Sequence, residues 1–344
     1  MNPYLADILS QPQFLRKVVQ HWQPDSLRMI TDGLKNGSID RIVITGMGAS
    51  YNAAYPAMLQ LSRLPVPVQL INAAELVHFL PDVIGERTLL WVNSQSGRSA
   101  ELVSLFKQHI SRKHAGVLAC VNDPESPTAG AADIFLHLQA GPESTVSTKT
   151  FVNTMALNLL IANHLLGSPV QHLAGELLDA ADQLEGYLLE WDERMEQLRQ
   201  LLGEFDTLAL LGRGPSMAAV WNGALVNKEA AKYPLEGMNS ADFRHGPLEL
   251  VRPGFTGLIY SGSAKVSSLN HVLAADIRRF GGKAIVFSRE DDKTGFTMPI
   301  PAGSEATLPI AEIVAAQLLS FVLAERTGVV PGKFIHSGKV TTVE

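Results

Sequence analysis

Two side chains that can transfer protons, Glu229 and His245, lie in one stretch of the sequence between Gly212 and Pro247. Glu229 falls late in a predicted helix, where a carboxylate faces the negative end of the helix dipole and costs stability. A partly buried glutamate can act as a base near neutral pH, and a histidine can both donate and accept a proton. The alternative is a surface glutamate beside Lys228 and a loop histidine bonded to backbone, which is the ordinary case for an isolated glutamate.

The helix that carries Glu229 also carries Asn222 and Val226 on the same face, because the three residues are spaced i, i+4 and i+7. It follows the hydrophobic strand 207–211 and a short glycine-containing turn. It is predicted to end before Pro234, because proline disfavours helical geometry in the residue that precedes it.

A loop rich in hydroxyl and amide groups, residues 94–99, follows a second buried strand. Its polar side chains are Ser94, Gln95, Ser96 and Ser99. Such a loop at the carboxyl edge of a parallel sheet can hold a phosphate monoester with neutral hydroxyls and backbone amides. The alternative is a serine helix cap, but one cap does not need three serines and a glutamine. Arg98 in the same loop could add a charge-assisted contact.

A second hydroxyl cluster, residues 144–150, contains Ser147 and opens a long helix. By itself it could be another helix cap, with Lys149 merely solvated. Two serine and threonine loops at strand ends of one sheet can, however, surround one phosphate, so the two clusters together predict a phosphate site.

The turn Gly46-Met47-Gly48-Ala49-Ser50 lies between a strand and a helix, where glycines let a ligand approach the backbone. It does not complete a dinucleotide fingerprint, because Tyr51 stands where the third glycine is required. A dinucleotide cofactor is therefore not expected at this turn.

Strands alternating with helices position these loops and predict a parallel sheet covered on both faces. In the first half, strands are predicted at 41–45, 66–71, 88–93, 116–121 and 134–138, and helices at 1–35, 53–64, 73–80, 99–110 and 149–166. The order then recurs: 205–216 parallels 39–50, 257–263 parallels 89–96, 282–288 parallels 115–121, and helix 310–326 matches the helix after Lys149. The predicted fold class is α/β, with two tandem doubly wound parallel-sheet domains.

The repeat divides the 344 residues into five predicted segments. They are N-terminal helices (1–35), a first domain (36–169), a charged, leucine-rich helical connector (170–204), a second domain (205–330) and a C-terminal tail (331–344).

Composition limits the classes of function. Hydrophobic residues make up 46% of the chain and charged residues 18%, which suits packed cores and argues against disorder. A net charge of −6 gives no reason to expect nucleic acid or an anionic membrane as a partner. No uninterrupted apolar run has the length of a membrane span, and the N-terminus lacks a signal-peptide pattern. The single Cys120 lies in an apolar run and cannot form an intrachain disulfide, so a reducing cytoplasm is the expected compartment.

Six short motifs, taken together and in chain order, resemble the sugar isomerase (SIS) domain family in its tandem form. They are Gly48-Ala49-Ser50-Tyr51-Asn52, Ser94-Gln95-Ser96-Gly97, Ser147-Thr148-Lys149, Lys228-Glu229, His245-Gly246-Pro247, and Lys339 with the Val343-Glu344 ending. The resemblance runs from about residue 36 to the end of the chain. It is close to the isomerase half of glucosamine-6-phosphate synthases, and standalone amino-sugar-phosphate deaminases, isomerases and deglycases are also similar.

The resemblance implies a flavodoxin-like fold and a role for each motif. Ser94, Gln95, Ser96 and Ser99 would bind the sugar phosphate, and Ser50 and Ser147 would line the substrate site. Glu229 would move a proton between C1 and C2, His245 would assist ring opening from the neighbouring subunit of a homodimer, and Lys339 on the tail would close over the open-chain sugar. The reaction that the resemblance implies needs no metal ion and no organic cofactor.

Three features depart from the synthase pattern. The chain begins Met1-Asn2 without the cysteine that starts a glutaminase domain, so ammonia from glutamine is not expected. Asn222 and Val226 stand where the synthase has an acid and a lysine. The resemblance therefore predicts isomerisation or deamination of a 6-phosphorylated amino sugar. A deglycase of fructosamine-type 6-phosphates and a non-catalytic phosphosugar-binding regulator are the alternatives.

Overall fold

The computed structural model describes residues 1–109, 114–291, 293–336, 338–341 and 343, and the chain divides into two compact units. The first unit comprises Gln13–Leu177 with Ile335–Glu344, and the second comprises Met1–Pro12 with Leu178–Phe334. Each unit is therefore discontinuous in sequence: the first includes the C-terminal segment and the second the N-terminal segment.

The described helices, in chain order, are α1 (Pro3–Leu9), α2 (Gln11–Gln20), α3 (Arg28–Asn36), α4 (Gly48–Leu61), α5 (Ala73–His78), α6 (Ala100–His109), α7 (Pro127–Gly130), α8 (Lys149–Leu165), α9 (Val170–Leu189), α10 (Trp191–Leu202), α11 (Met217–Ala231), α12 (Ser240–Arg244), α13 (Ala264–Arg279) and α14 (Leu308–Thr327). The described strands are β1 (Arg41–Gly46), β2 (Val68–Asn72), β3 (Thr88–Ser94), β4 (Gly116–Val121), β5 (Ile134–His137), β6 (Thr207–Gly212), β7 (Glu236–Asn239), β8 (Phe255–Tyr260), β9 (Lys283–Ser288) and β10 (Thr297–Pro299).

The first unit contains a five-stranded parallel sheet in the order β2-β1-β3-β4-β5. The central strand β3 is buried along its whole length, as expected for a strand with helices on both faces. Leu90, Val92, Leu102 and Leu105 belong to one core cluster, which joins β3 to α6. β2 pairs with one side of β1, and β3 pairs with the other side. The strand order therefore reverses between β1 and β3, and ligands bind at such a point in open α/β sheets.

The second unit repeats this sheet in the order β10-β9-β8-β6-β7. Helix α14 packs against α11, and residues 308–324 of α14 are buried. α1 joins this unit through Tyr4, whose ring stacks on Phe321 and whose hydroxyl bonds to Ser320.

Helix α14 is long and apolar enough, by length and composition, to cross a membrane, although Glu312 interrupts its apolar run. Its most apolar 18-residue window is 94% buried inside the protein, as the core helix of a packed unit is. Because Glu312 divides the apolar run of α14, this helix does not contradict the prediction that no uninterrupted apolar run has the length of a membrane span.

The predicted α/β class with two doubly wound parallel sheets is confirmed. Two short edge strands, β7 and β10, were missed. β7 has the sequence Glu-Gly-Met-Asn, which is poor in β-formers, and it exists because its backbone pairs with β6. β10 contains Pro299, which is tolerated at a sheet edge but weakens the strand signal.

The predicted N-terminal helical segment 1–35 forms three helices, which are separated at Ser10 and by a 3₁₀ turn at Pro24–Leu27. The predicted connector is helical and forms α9 and α10, with the boundary between units inside α9. Ile110, the predicted end of α6, lies outside the described residues.

Candidate functional site

The loop after β3 is held in a defined shape by its own hydroxyl groups. Ser94 Oγ accepts the N–H of Gly97 at 2.9 Å, and Ser96 Oγ accepts the N–H of Arg98 at 3.1 Å. A hydroxyl that accepts a hydrogen bond in this way can still donate through its own O–H. Ser99 Oγ is buried and has no hydrogen-bond partner among the described residues, so it can accept a ligand's hydrogen bond or donate one.

Gly97 fixes the bend of this loop because its φ of 61° lies in the left-handed region. A Cβ at this position would lie 2.2 Å from Ser126 Oγ and 2.9 Å from Val121 Cγ1. The carbonyl of Gly97 also accepts a hydrogen bond from Thr128 Oγ1 at 2.9 Å. The loop therefore packs tightly on the end of β4 and the start of α7.

The Arg98 side chain is bound to protein groups. It donates to Asp123 Oδ2 at 3.0 and 2.9 Å, and to the carbonyl of Glu125 at 3.1 Å. Burial alone would raise the pKa of Asp123, but the hydrogen bonds from Arg98 and from the N–H of Glu125 outweigh it and lower that pKa. Arg98 therefore ties the loop to residues 123 and 125, and its suggested contact with phosphate stays a prediction.

The second hydroxyl loop is organised by Glu143, whose carboxylate is fully buried. Its Oε1 accepts the N–H and the hydroxyl of Thr148 at 2.9 and 3.0 Å, and the N–H of Thr150 at 3.1 Å. Its Oε2 accepts the Thr150 hydroxyl at 2.6 Å. Ser147 Oγ bonds in turn to Thr150 Oγ1 at 2.7 Å, so Glu143 sets the position of Ser147 through Thr150.

Lys149 is only 5% exposed, with its ammonium 4.6 Å from the ring centroid of Phe14. The suggestion that Lys149 is solvated was therefore wrong. The first turn of α8 places this cation inside the first unit, where the aromatic face stabilises it.

The C-terminal tail contacts the start of α6 and the second hydroxyl loop. Lys339 Nζ donates to Glu143 Oε2 at 2.5 Å and to the carbonyl of Thr145. The carbonyl of Thr341 accepts the N–H of Ala100, the first residue of α6, at 3.1 Å. The tail thus joins the start of α6 to the Glu143 loop. Ser337, Thr342 and Glu344 lie outside the described residues.

Ser50 lies in the first turn of α4, which begins at Gly48 rather than at the predicted residue 53. A Cβ on Gly46 would lie 2.8 Å from the carbonyl oxygen of Asn93, so the turn after β1 packs against the end of β3. Half-buried Ser50 therefore follows a turn that adjoins the 94–99 loop.

The second unit holds the two predicted proton-transfer residues. Glu229 is half-buried near the end of α11, and its backbone carbonyl accepts a hydrogen bond from Lys232 Nζ. His245 is exposed at the end of α12, and its N–H donates to the carbonyl of Asp242 at 2.9 Å. The neighbouring Lys228 forms an ordinary exposed ion pair with Glu236 at 3.7 Å.

Asn222 and Val226 are both buried, on the helix face that carries Glu229. Neither polar atom of the Asn222 side chain has a hydrogen-bond partner among the described residues. The side chains of Asn222 and Val226 therefore bring no charge to the face of α11 that carries Glu229.

The structure brings Ser50, Ser94, Gln95, Ser96, Ser99, Ser147 and Lys339 into the first unit, whereas Glu229 and His245 belong to the second. Within the described part of the chain, no three His, Cys, Asp or Glu side chains cluster in the way a metal site requires.

Of the glutamates that the structure describes, three are buried, namely Glu101, Glu143 and Glu312, and none of them was identified from the sequence. Glu312 of α14 accepts the Ser216 hydroxyl at 2.8 Å. Burial raises the pKa of Glu312 from 4.5 to about 8, although the Ser216 hydrogen bond acts in the opposite direction. A single acid within the largely apolar stretch 308–324 was a signal for Glu312, but nothing distinguished Glu143 from a loop carboxylate.

Comparison with known proteins places this arrangement in a family context. Residues 38–164 match the model of the SIS domain. Over 353 residues the chain is 29% identical to glutamine–fructose-6-phosphate aminotransferase (isomerizing) from Thermococcus kodakarensis. That alignment covers 99% of this chain and 58% of the relative, so the chain spans little more than half the length of the curated relatives it matches.

Solved structures show the same fold. The C-terminal domain of glucosamine-fructose-6-phosphate aminotransferase from Francisella tularensis matches with a TM-score of 0.85 at 23% identity, covering 97% of this chain and 98% of that one. A glucosamine-6-phosphate deaminase from Thermotoga maritima matches with a TM-score of 0.78 at 20% identity, covering 98% and 99%. At these identities the likeness establishes the fold alone.

Proposed function

We propose, from the match of residues 38–164 to the SIS domain, that this chain is an enzyme acting on a phosphorylated sugar. The observation that supports this most directly is the 94–99 loop. Two of its serine hydroxyls are oriented by backbone N–H groups, and a third is buried without a partner among the described residues.

In this proposal Ser94, Gln95, Ser96 and Ser99 bind the phosphate. Neutral donors hold such an anion without a buried countercharge, and Arg98 stays on Asp123 to stiffen the loop. Ser50 and Ser147 line the sugar, and Lys339 closes over the open chain.

Glu229 is the proposed base that moves a proton between C1 and C2, and His245 assists opening of the ring. Aldose–ketose interconversion needs one base, one group at the ring oxygen and an anchor for the phosphate, and these residue types supply all three. The substrate is proposed to be a 6-phosphorylated amino sugar of the glucosamine 6-phosphate or fructose 6-phosphate type.

We further propose that the working form is a homodimer in which His245 comes from the neighbouring subunit. The exposed position of His245 on α12 supports this arrangement, because a side chain that serves a partner's site projects from its own unit. A cytoplasmic location is proposed with it, consistent with a buried, unpaired Cys120.

Isomerisation or deamination is favoured over the synthase reaction by Asn222 and Val226. Both are buried and uncharged on the face that carries Glu229, so they supply neither an acid nor a lysine there. A deglycase of fructosamine-type 6-phosphates uses the same proton transfer and is the second candidate.

The test is incubation with glucosamine 6-phosphate, fructose 6-phosphate and a fructosyl-amino-acid 6-phosphate, with free ammonia, free amino acid and sugar product measured separately. Ammonia or ketose from glucosamine 6-phosphate supports the leading proposal, and free amino acid supports the deglycase. Binding without turnover of any compound would indicate a regulator, and absence of both binding and turnover would contradict the proposal as a whole.

A further inference from the structure

Glu143 is a buried carboxylate that takes no part in the proposed reaction, and it lies where the second hydroxyl loop meets the C-terminal tail. Its side chain is fully buried, whereas that of Lys339 is 20% exposed. Five donors converge on it: the N–H and hydroxyl groups of Thr148 and Thr150, and the ammonium of Lys339. A buried carboxylate survives in a protein when its oxygens are satisfied in this way.

The two carboxylate oxygens of Glu143 accept hydrogen bonds from different parts of the chain. Oε1 holds the loop, because it accepts both backbone N–H groups at the start of α8. Oε2 holds the tail, because it accepts the Lys339 ammonium at 2.5 Å together with the Thr150 hydroxyl at 2.6 Å. One side chain therefore fixes the position of Ser147, through Thr150, and of Lys339.

We propose that Glu143 is a positioning residue that anchors the tail lysine and the Ser147 hydroxyl in one network. This inference rests on the proposed function, in which both side chains serve the sugar. The anchor places Lys339 next to the substrate loops before a ligand arrives, so less freedom is lost when the tail closes.

Glu143→Gln tests the anchor selectively. The amide keeps one oxygen for the Thr148 and Thr150 N–H groups, but it presents an NH₂ donor to the Lys339 ammonium, which is itself a donor. Hydrogen exchange of peptides that contain Ala100 and residues 338–341 reports the tail directly, since the Ala100 N–H donates to Thr341. We expect exchange of the Ala100 amide to become at least tenfold faster in Glu143→Gln, with that of the Thr148 and Thr150 amides little changed.

Glu312→Gln is the matched control, because Glu312 is also fully buried and also accepts a hydroxyl, but it lies in the second unit, whereas the tail from residue 335 belongs to the first. This variant should leave exchange at Ala100 unchanged. Unchanged exchange at Ala100 in Glu143→Gln would overturn the inference, whatever the activity.

Kinetics supply a second, separate readout. Glu143→Gln and Lys339→Met should each lower kcat/KM for the phosphosugar by at least tenfold, and the double variant should lose little more than either single one, because they break the same contact. Additive losses would contradict the anchor. If no phosphosugar is turned over, the proposed function fails, while the exchange experiment still decides whether Glu143 holds the tail.

Discussion

At the scale of single residues, the least satisfied hydroxyl of the candidate site is that of Ser99, which is buried without a partner among the described residues. Replacing it with alanine removes a donor that a phosphate oxygen would use. A hydrogen bond to a charged group contributes about 1.5–3 kcal/mol. We therefore expect Ser99→Ala to weaken binding of glucosamine 6-phosphate by about 10- to 100-fold.

Isothermal titration would measure this change. Ser104→Ala is the control, because Ser104 lies on the helix that Ser99 precedes but its hydroxyl accepts from Gln108 at 2.8 Å. Equal affinity of the Ser99→Ala protein and the unmodified protein would contradict the phosphate assignment.

Replacing Glu229 should lower kcat without weakening the binding of the phosphosugar. Glu229→Gln keeps the size of the side chain but replaces the base with a neutral amide, and loss of a general base costs about 10²–10⁴ in rate. We expect kcat to fall by this factor while the affinity for the phosphosugar stays within a few-fold. A kcat close to that of the unmodified enzyme would exclude Glu229 as the base.

At the scale of elements, the turn between β3 and α6 depends on Gly97. Alanine there would adopt a left-handed backbone, at a cost of about 1–2 kcal/mol, and its Cβ would overlap Ser126 Oγ at 2.2 Å. We expect Gly97→Ala to lower both the melting temperature and phosphosugar binding. Gly130→Ala is the matched control, since a Cβ added there would meet no neighbouring atom within 4 Å, and it should change neither property. Intact binding in Gly97→Ala would show that the loop shape is unimportant.

Glu312 of α14 accepts the hydroxyl of Ser216, which follows β6, and burial raises the pKa of Glu312 from 4.5 to about 8. The stability of the folded protein should therefore depend on pH in this range. Between these two pH values the folded protein holds a proton that the unfolded chain has released. The contribution of Glu312 to the free energy of unfolding should therefore be fully present below pH 4.5 and should be lost as the pH rises through about 8.

Melting temperatures measured from pH 5 to 8.5 would test this, with Glu312→Gln as the comparison. The amide cannot titrate, so its curve should fall less steeply with pH than that of the unmodified protein. Parallel curves would mean that Glu312 does not contribute.

The sequence predicted the elements whose signal is local and missed those that depend on tertiary structure. Strands such as β3 and β4 are continuous apolar runs, and their positions were predicted to within one residue. β7 was missed because its four residues form a strand only through pairing with β6. Likewise, Ser94–Ser99 could be found from composition, whereas Glu143 could not, because its importance lies in contacts with Thr148, Thr150 and Lys339 that only folding creates.

At the scale of the whole molecule, the proposed dimer predicts complementation. Glu229→Gln and His245→Ala should each be inactive alone, but a mixed dimer would hold one site with both residues intact. Random reassembly of equal amounts should restore about a quarter of the wild-type activity, since half of the dimers are mixed and each has one working site. Activity assays after co-refolding would measure this. No recovery, with mixed dimers verified by native mass spectrometry, would place His245 in its own subunit's site.

Each unit borrows a segment from the far end of the chain: residues 1–12 belong with the second sheet, and residues 335–344 with the first. During synthesis on a ribosome, α1 emerges long before α14, on which Tyr4 packs. The first sheet, in turn, is complete while Lys339 is still untranslated. Glu143 and the loop residues that donate to it are thus synthesised long before Lys339. The ion pair between Glu143 and Lys339 can form only after synthesis of the chain is almost complete.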